Sequence, residues 1–503
     1  MGVLWTDDEG QITMGGAMLA LLCVYLLGMR IVRMVVFESA GPTVMRPRTI
    51  VQVVVLGDIG RSPRIRSHAV SLAEAGCQVD LIGYAETSPG TRVNANRHIT
   101  VRKITPAWSV PEGLPRFVYI AWAPFKAIFM AFQLAWIMGC ITQRPNYILI
   151  QNPPAIPTLA IAKAVSKLRD AKLVIDWHNF GFSILGIKLG MNHPVVQVAK
   201  RYEQYFGRHA YAHLTVTDRM NRELKQWGMR GNMVTFHDRP PYHFERLSLE
   251  KMHDFLSRVQ LENIVKQQTL ATDKFLDMDM DRDTTLLTTK SNDGSVAMRD
   301  DNERVRLIVS STSWTEDEDF SILLKAVELY ESASRQADKP YPRLLFVITG
   351  KGPLKSMYEQ KISAMQLERT RIITAWLEVS DYPLLLGSAD LGISLHTSTS
   401  GMDLPMKVVD MFGCGLPVCA LSFECLDELV HDDKNGLIFS SSTQLAEQWM
   451  DLFVRTPGKL HQLRNNVVAE YKQAKWEKQW NERIASLFGI VNPTTVHSRM
   501  RAE

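Results

Sequence analysis

Cysteine is scarce in this 503-residue chain. Its six cysteines (Cys23, Cys77, Cys140, Cys414, Cys419 and Cys425) include no CxxC pair. That excludes a disulfide framework and a clustered zinc site, and fits a reducing compartment. No N-x-S/T sequon occurs without an intervening proline, which agrees with a catalytic body on the cytosolic side. One-sided charge is also missing: the net charge is only +4, so no nucleic-acid role is expected. A stretch from about Ser248 to Asn302 lacks tryptophan and proline. It carries Asp277, Asp279, Asp281 and Asp283 but not the glycine and closing glutamate of a calcium loop. Residues 248–303 therefore read as a solvated, largely disordered insertion in a linker, with no metal.

What is present is a folded composition, 46% hydrophobic and 22% charged, in a chain long enough for two domains. Ile12 to Met29 is an 18-residue uncharged run, followed by Arg30, Arg33 and further apolar residues to Phe37. With Arg30 and Arg33 at the interface, residues 12–37 suffice for one membrane span. Acids precede it and Arg46 and Arg48 follow, so residues 1–11 are expected in the lumen and the rest in the cytosol. A cleaved signal peptide is the alternative, but no basic segment precedes the run. A second apolar stretch, Phe117 to Ile141, has Lys126 as its sole charge and is rich in aromatics. It reads either as a buried core helix or as a helix lying in the membrane surface.

Beyond Thr49 the pattern alternates strand and helix. Thr49–Gly57, Cys77–Tyr84, Ile99–Ile104, Tyr147–Gln151 and Lys172–Asp176 read as buried strands, with a helix over His68–Ala75. A second alternation has strands at Arg306–Ser310, Leu344–Thr349, Arg371–Thr374, Leu391–Leu395 and Pro417–Ala420. The expected fold is α/β, with two Rossmann-like domains (48–247 and 304–469) and a ligand cleft. Residues 470–503 are expected to supply a helix carrying Trp476 and Trp480 that packs back on the first domain, and then a tail.

Five segments carry chemistry. In L-G-D-I-G-R-S-P-R-I-R-S-H (Leu56–His68), Gly57 and Gly60 permit close backbone approach, and Arg61 and Arg64 suit a diphosphate, of a lipid or of a donor. In D-W-H-N-F-G-F-S (Asp176–Ser183), His178 either accepts a proton or caps a turn. S-S-T-S-W-T-E-D-E-D-F (Ser310–Phe320) has hydroxyls for a phosphate path and four acids, Glu316 among them, that equally suit a helix cap. I-T-G-K-G-P-L (Ile348–Leu354) places Gly350, Lys351 and Gly352 after a strand, suited to a nucleotide. The longest runs from Gly387 to Val418. Its polar loop, which includes His396 and Asp403, feeds a helix starting near Leu404–Pro405. That helix carries Lys407 and Asp410 on one face, a cation for pyrophosphate and a carboxylate for ribose.

The segments G-D-I-G-R-S-P-R, D-W-H-N, S-S-T-S-W-T-E-D-E-D-F and S-A-D-L-G-I-S-L-H-T-S-T-S-G-M-D-L-P-M-K-V-V-D-M-F-G-C-G-L-P-V-C-A resemble those of the chitobiosyldiphosphodolichol β-mannosyltransferases. The resemblance spans roughly Val51 to Glu470. It implies a GT-B fold and transfer of mannose, with inversion, from GDP-mannose to dolichyl-diphosphate-chitobiose, making a β-1,4 bond at the cytosolic face of the endoplasmic reticulum. No D-x-D sequence sits directly after a strand, so no metal or other cofactor is expected in the chemical step; a complex with other dolichol-pathway mannosyltransferases is a further expectation. Broader relatives carry two donor-site glutamates eight residues apart. Asp410 aligns with the second, whereas Met402 stands eight before it and Asp403 only seven. The general base is expected among Asp58, His178 and Glu316. Two alternatives are a transferase of this fold using another nucleotide sugar, and a catalytically dead scaffold. Retention of Lys407, Asp410 and the G-C-G-L-P turn argues against the scaffold.

Overall fold

The computed structural model describes residues 48–106, 116–268, 275, 283–300, 304–316, 318–338, 341–397, 401–473 and 476–490. The expected span at 12–37 lies outside them. By contacts the chain divides into two compact units. The first comprises the described residues within Met1–Leu214, Trp227–Met233 and Leu487–Val491; the second, those within Thr215–Gln226, Val234–Ser486 and Asn492–Glu503.

The first sheet has seven strands: β1 (Ile50–Asp58), β2 (Gln78–Tyr84), β3 (Ile99–Lys103), β4 (Tyr147–Asn152), β5 (Lys172–Trp177), β6 (His209–Thr215) and β7 (Arg230–Thr235). Their order is β3-β2-β1-β4-β5-β6-β7, with β1 parallel to both β2 and β4. The β-branched run of β1 is buried because helices cover both faces of such a sheet: Val51, Val53 and Val54 are fully enclosed. The helices are α1 (Pro63–Glu74), α2 (Thr91–Asn94), α3 (Arg116–Trp136), α4 (Thr158–Leu168), α5 (Gly181–Leu189), α6 (Pro194–Gly207) and α7 (Asp218–Gln226). Helix α1 starts at Pro63, five residues before the sequence-based start at His68, because proline fits the first turn of a helix. Arg64 and His68 therefore sit on a helix rather than in a turn.

Helix α3 is the one described helix long and apolar enough to cross a membrane, judged by length and composition over Pro124–Ile141. Met130 and Leu134 bury one stripe of it, and α3 packs on α4. The opposite stripe of Phe125, Ile128, Phe132 and Trp136 stays exposed and apolar.

The second sheet is parallel, in the order β12-β11-β10-β13-β14-β15. Its strands are β10 (Arg306–Ser311), β11 (Leu344–Thr349), β12 (Thr370–Ala375), β13 (Leu391–Ser394), β14 (Val418–Leu421) and β15 (Gly436–Phe439). Both orders are doubly wound, reversing direction beside the first strand, where such sheets bind ligands at their carboxyl ends.

The expected disorder of residues 248–303 is corrected. Helices α8 (Leu249–Val259) and α9 (Leu261–Gln268) and a hairpin of β8 (Thr288–Lys290) and β9 (Val296–Met298) occupy much of it. Met252, Phe255, Leu256, Leu261 and Val265 recur at helical spacing and are all buried in the second unit's core. Ser248 caps α8 by accepting from the Lys251 amide. The second unit also holds α7 and, among the described residues, α10 (Ser321–Gln336), α11 (Lys355–Ser363), α12 (Tyr382–Ser388), α13 (Met406–Gly413), α14 (Ser442–Met450), α15 (Lys459–Gln473) and α16 (Trp476–Arg483). After α16, which buries Trp480, Phe488 packs edge-on against Tyr147 of β4, ring centres 5.2 Å apart.

Candidate active site

In the first unit, the segments that leave β1 and β5 bring one group of candidate residues together. Asp176, at the end of β5, is fully buried. Arg64 of α1 grips it with two hydrogen bonds, Nε to Oδ2 at 2.9 Å and a second guanidinium nitrogen to Oδ1 at 3.0 Å. His178 Nε2 lies 2.9 Å from Oδ2, and His68 Nε2 3.4 Å from the same atom. Burial alone would raise Asp176, but Arg64, His178 and His68 hold it well below the usual carboxylate range. Its charge thus persists and orients the imidazole of His178. With Nε2–H donating to Asp176, as this network assigns it, Nδ1 is left as the accepting nitrogen. His178 is the partly exposed member; His68 is wholly enclosed, and burial lowers its pKa.

These contacts revise three expectations. Arg64 is buried against Asp176 and does not offer its guanidinium to a diphosphate. Asp58 is not poised as a base. Its Oδ1 accepts from the amides of Glu86 and Thr87, and its Oδ2 from the Thr87 hydroxyl. The Thr87 hydroxyl holds the carboxyl below its usual range; burial opposes this, and backbone amides add to it. Asp58 pins the loop after β2, and Gly60 serves the same contact, since a Cβ there would lie 2.1 Å from Thr87 Oγ1. Gly57 belongs to β1, where a Cβ would meet only ordinary contacts. Arg61 keeps an exposed guanidinium 3.6 Å from Asp58, so of the two arginines it alone presents a cation to solvent.

In the second unit, a separate group lies where β10 and β13 diverge. Glu318 follows β10 and is buried. Its Oε2 accepts from the Thr312 hydroxyl and, at 2.7 Å, from the Ser313 amide; its Oε1 accepts from Lys407 Nζ at 2.5 Å. Lys407 stands in the first turn of α13, whose N-cap, Pro405, provides no side-chain cap. A cation and uncapped amides therefore share one helix start, an arrangement suited to an anion. Glu316 is exposed, so Glu318 and not Glu316 is the carboxylate in the site. The four-acid run concealed which member turns inward; one of the others, Asp319, accepts from the Ser321 amide at the head of α10.

Gly350 and Gly352 are required by a close approach to neighbouring chain. A Cβ on either would lie 1.8 Å from a backbone oxygen, of Thr312 and Ser313 respectively, and Gly350 has φ +133°. The two loops are thus locked together. Lys351 stacks over the Trp376 ring at 3.8 Å. Asp410 is half-buried on α13, where burial, and next the negative Asp238, push it up to about 7. His396 is half-buried and edge-on to Phe423. The Asp403 carbonyl accepts from Cys425 Sγ at 3.6 Å. Residues 398–400 of this loop lie outside the described residues.

Asp218, His237 and Glu428 bring ligand-type atoms within 4.8 Å of one another. Glu428 is already occupied. Its carboxylate accepts from the Asp218 amide at 2.6 Å, the Arg219 amide at 2.8 Å and His237 Nε2 at 3.1 Å, capping α7.

A glycosyl transferase 4-like domain matches residues 60–237, and a glycosyl transferases group 1 domain matches residues 303–454. The human chitobiosyldiphosphodolichol beta-mannosyltransferase is 42% identical over 453 residues, covering 87% of this chain and 92% of its own. The mouse protein of that name is 41% identical, covering 96% and 97%. UDP-glycosyltransferase TURAN of Arabidopsis thaliana is 41% identical, covering 86% and 95%. Among solved structures, Anabaena Alr3699/HepE in complex with UDP aligns with a TM-score of 0.57 at 15% identity, over 88% of this chain and 100% of that one, a likeness of fold. Two doubly wound sheets, the matched domains and this identity over nearly the whole chain make it a GT-B member of the chitobiosyldiphosphodolichol β-mannosyltransferase family.

Proposed function

We propose that this protein transfers mannose from GDP-mannose to the 4-hydroxyl of dolichyl-diphosphate-chitobiose, with inversion. The observation that carries the reading is the Glu318–Lys407 pair at the uncapped start of α13. It puts a fixed cation and free amides where a doubly wound sheet receives a phosphate. The names of the human and mouse relatives support the acceptor.

In-line displacement at the anomeric carbon requires charge stabilisation on the leaving diphosphate and removal of the acceptor proton. Lys407 and the α13 amides serve the first need, as preorganised donors aimed at developing charge. Asp410 accepts from the ribose hydroxyls, and Lys351 with the Gly350–Gly352 turn lines the nucleotide. His178 serves the second need, taking the proton on Nδ1 while Asp176 stabilises the imidazolium that forms. Arg61 meets the acceptor diphosphate. This scheme uses no metal ion, so chelation should leave turnover unchanged.

Purified full-length protein, given radiolabelled GDP-mannose and a phytanyl-diphosphate-chitobiose acceptor in detergent, should form labelled lipid-linked trisaccharide. UDP-sugars belong in the same experiment, because the Arabidopsis relative's name specifies a UDP-sugar. Lys407→Ala should lower turnover on the order of 10²–10³-fold, the usual loss for one such donor. Near-normal transfer by that variant would remove Lys407 from the site, and preference for a UDP-sugar would overturn the donor.

A further inference from the structure

The charge of this chain is small in total but not evenly spread. Between Gly113 and Tyr202 there are ten lysines and arginines against two acids, Asp170 and the buried Asp176. That segment carries a net +8 within a chain whose total is +4. Among the described residues it is also the segment with the largest run of exposed aliphatic side chains. Helices α5 and α6 form a hairpin whose inner face is buried through Phe182, Gly186, Val196 and Ala199. Its outer face presents Ile184, Ile187, Leu189, Met191, Val195 and Val198, with Ile187 61% and Val198 63% exposed.

The hairpin tip is well fixed. Gln197 Nε2 donates to the Met191 carbonyl at 2.8 Å, His193 Nδ1 accepts from the Val195 amide, and Met191 folds over Gly186. The apolar face is thus a built surface rather than a frayed end. A water-facing helix carries polar residues on its outer face, and a continuous apolar face marks an interaction site. Helix α6 packs on α5 and α4, and α4 packs on α3, whose exposed stripe is likewise apolar. All four helices belong to the first unit. No ion pair among the described residues engages Lys126, Lys188, Lys200 or Arg201.

We infer that the α5–α6 hairpin is a second membrane-contact element, docking its aliphatic face into the interfacial region of an anionic lipid leaflet beside α3. This rests on the reading that the acceptor is lipid-linked. Aliphatic side chains flanked by cations that no ion pair engages, with no acid from Gly181 to Tyr202, fit an anionic headgroup layer. Isoleucines and valines offer a phosphate backbone nothing, so nucleic acid does not fit this face.

The test uses the full-length chain reconstituted in nanodiscs, with Cys23→Ser and Cys140→Ala to lower background labelling. An environment-sensitive dye is placed at Ile187→Cys or Val198→Cys, and at Val379→Cys, 90% exposed in the second unit, as control. Lipids carrying a quencher in the upper acyl chain should quench the dye at 187 and 198 and not at 379. Quenching should be stronger with phosphatidylserine than in pure phosphatidylcholine. A water-like dye spectrum at 187 and 198 overturns the inference. So does a blue-shifted but unquenched dye, which would assign the face to a protein, whether a second copy or a partner. The readout needs no sugar substrate, so failed mannosyl transfer with quenching intact would fault the functional reading alone.

Discussion

Glu316 and Glu318 stand two residues apart, and their removal should have different consequences. Glu318→Gln keeps the shape and its hydrogen bonds to Thr312 and Ser313 but removes the charge that holds Lys407. A charge-assisted hydrogen bond is worth about 1.5–3 kcal/mol. Donor kcat/KM should therefore fall roughly ten- to a hundredfold. Glu316→Gln, at an exposed position, should change it by no more than about twofold, as surface substitutions do. Steady-state kinetics with varied donor separates the two. A gain of donor affinity in Glu318→Gln would instead mean that the incoming diphosphate displaces Glu318 from Lys407. At the same scale, Asp176 shows how one buried charge assigns three roles: it fixes Arg64 and His68 as scaffold and leaves His178 a free ring nitrogen.

At the scale of elements, sequence periodicity was a good guide wherever a strand is buried on both faces. β1, β2, β4, β5, β10 and β11 are predominantly apolar, and each was legible as a strand. β6, β7 and β15 were not. β7 (R-G-N-M-V-T) is polar and partly exposed, and β15 has only four residues, so tertiary pairing decides them. Helices α8 and α9 were missed for another reason. Their apolar residues recur at helical spacing, but the aspartate-rich run that follows has the composition of a solvated linker. The loop-to-helix junction that carries Lys407 and Asp410 was legible, because a glycine- and serine-rich loop feeding a helix has a fixed physical meaning. Glu318 and Arg64 were not, because sequence alone does not tell which of several like charges turns inward.

Helices α5 and α6 share a titrating group. Glu203 of α6 is 1% exposed and accepts from the Phe182 amide in the first turn of α5. Burial pushes its carboxyl up to about 8, only partly offset by the Phe182 and Gly181 amides. The unfolded value is about 4.3. The folded protein thus binds the extra proton between those values. The stability this group contributes is complete below about 4.3 and is lost as pH rises through about 8. Glu203→Gln keeps an acceptor for the Phe182 amide and cannot titrate. Urea midpoints at pH 6.5 and 8.5 should therefore fall more with rising pH in the wild type than in the variant. Equal slopes would show that Glu203 is already ionised in the folded protein.

At the scale of the molecule, neither unit is one continuous stretch of sequence. The chain passes from the first unit into the second after Leu214, returns for Trp227–Met233, leaves again, and ends its described part back in the first unit with residues 487–490. A stop after Arg483 should thus injure the first unit, although it removes no strand from it. The buried Phe488 is lost, and Tyr147 of β4 loses the ring it packs against. Deleting a buried phenylalanine side chain typically costs about 3–5 kcal/mol. Thermal melts of the full-length and truncated chains would measure the difference, and equal melting temperatures would show that the contact contributes nothing. The contact also sets an order of events during synthesis. β4 emerges from the ribosome more than three hundred residues before Phe488 is added. Until Phe488 has been made, one aromatic flank of the earlier-made sheet lacks its partner, and a nascent chain stalled before that residue would carry the gap exposed.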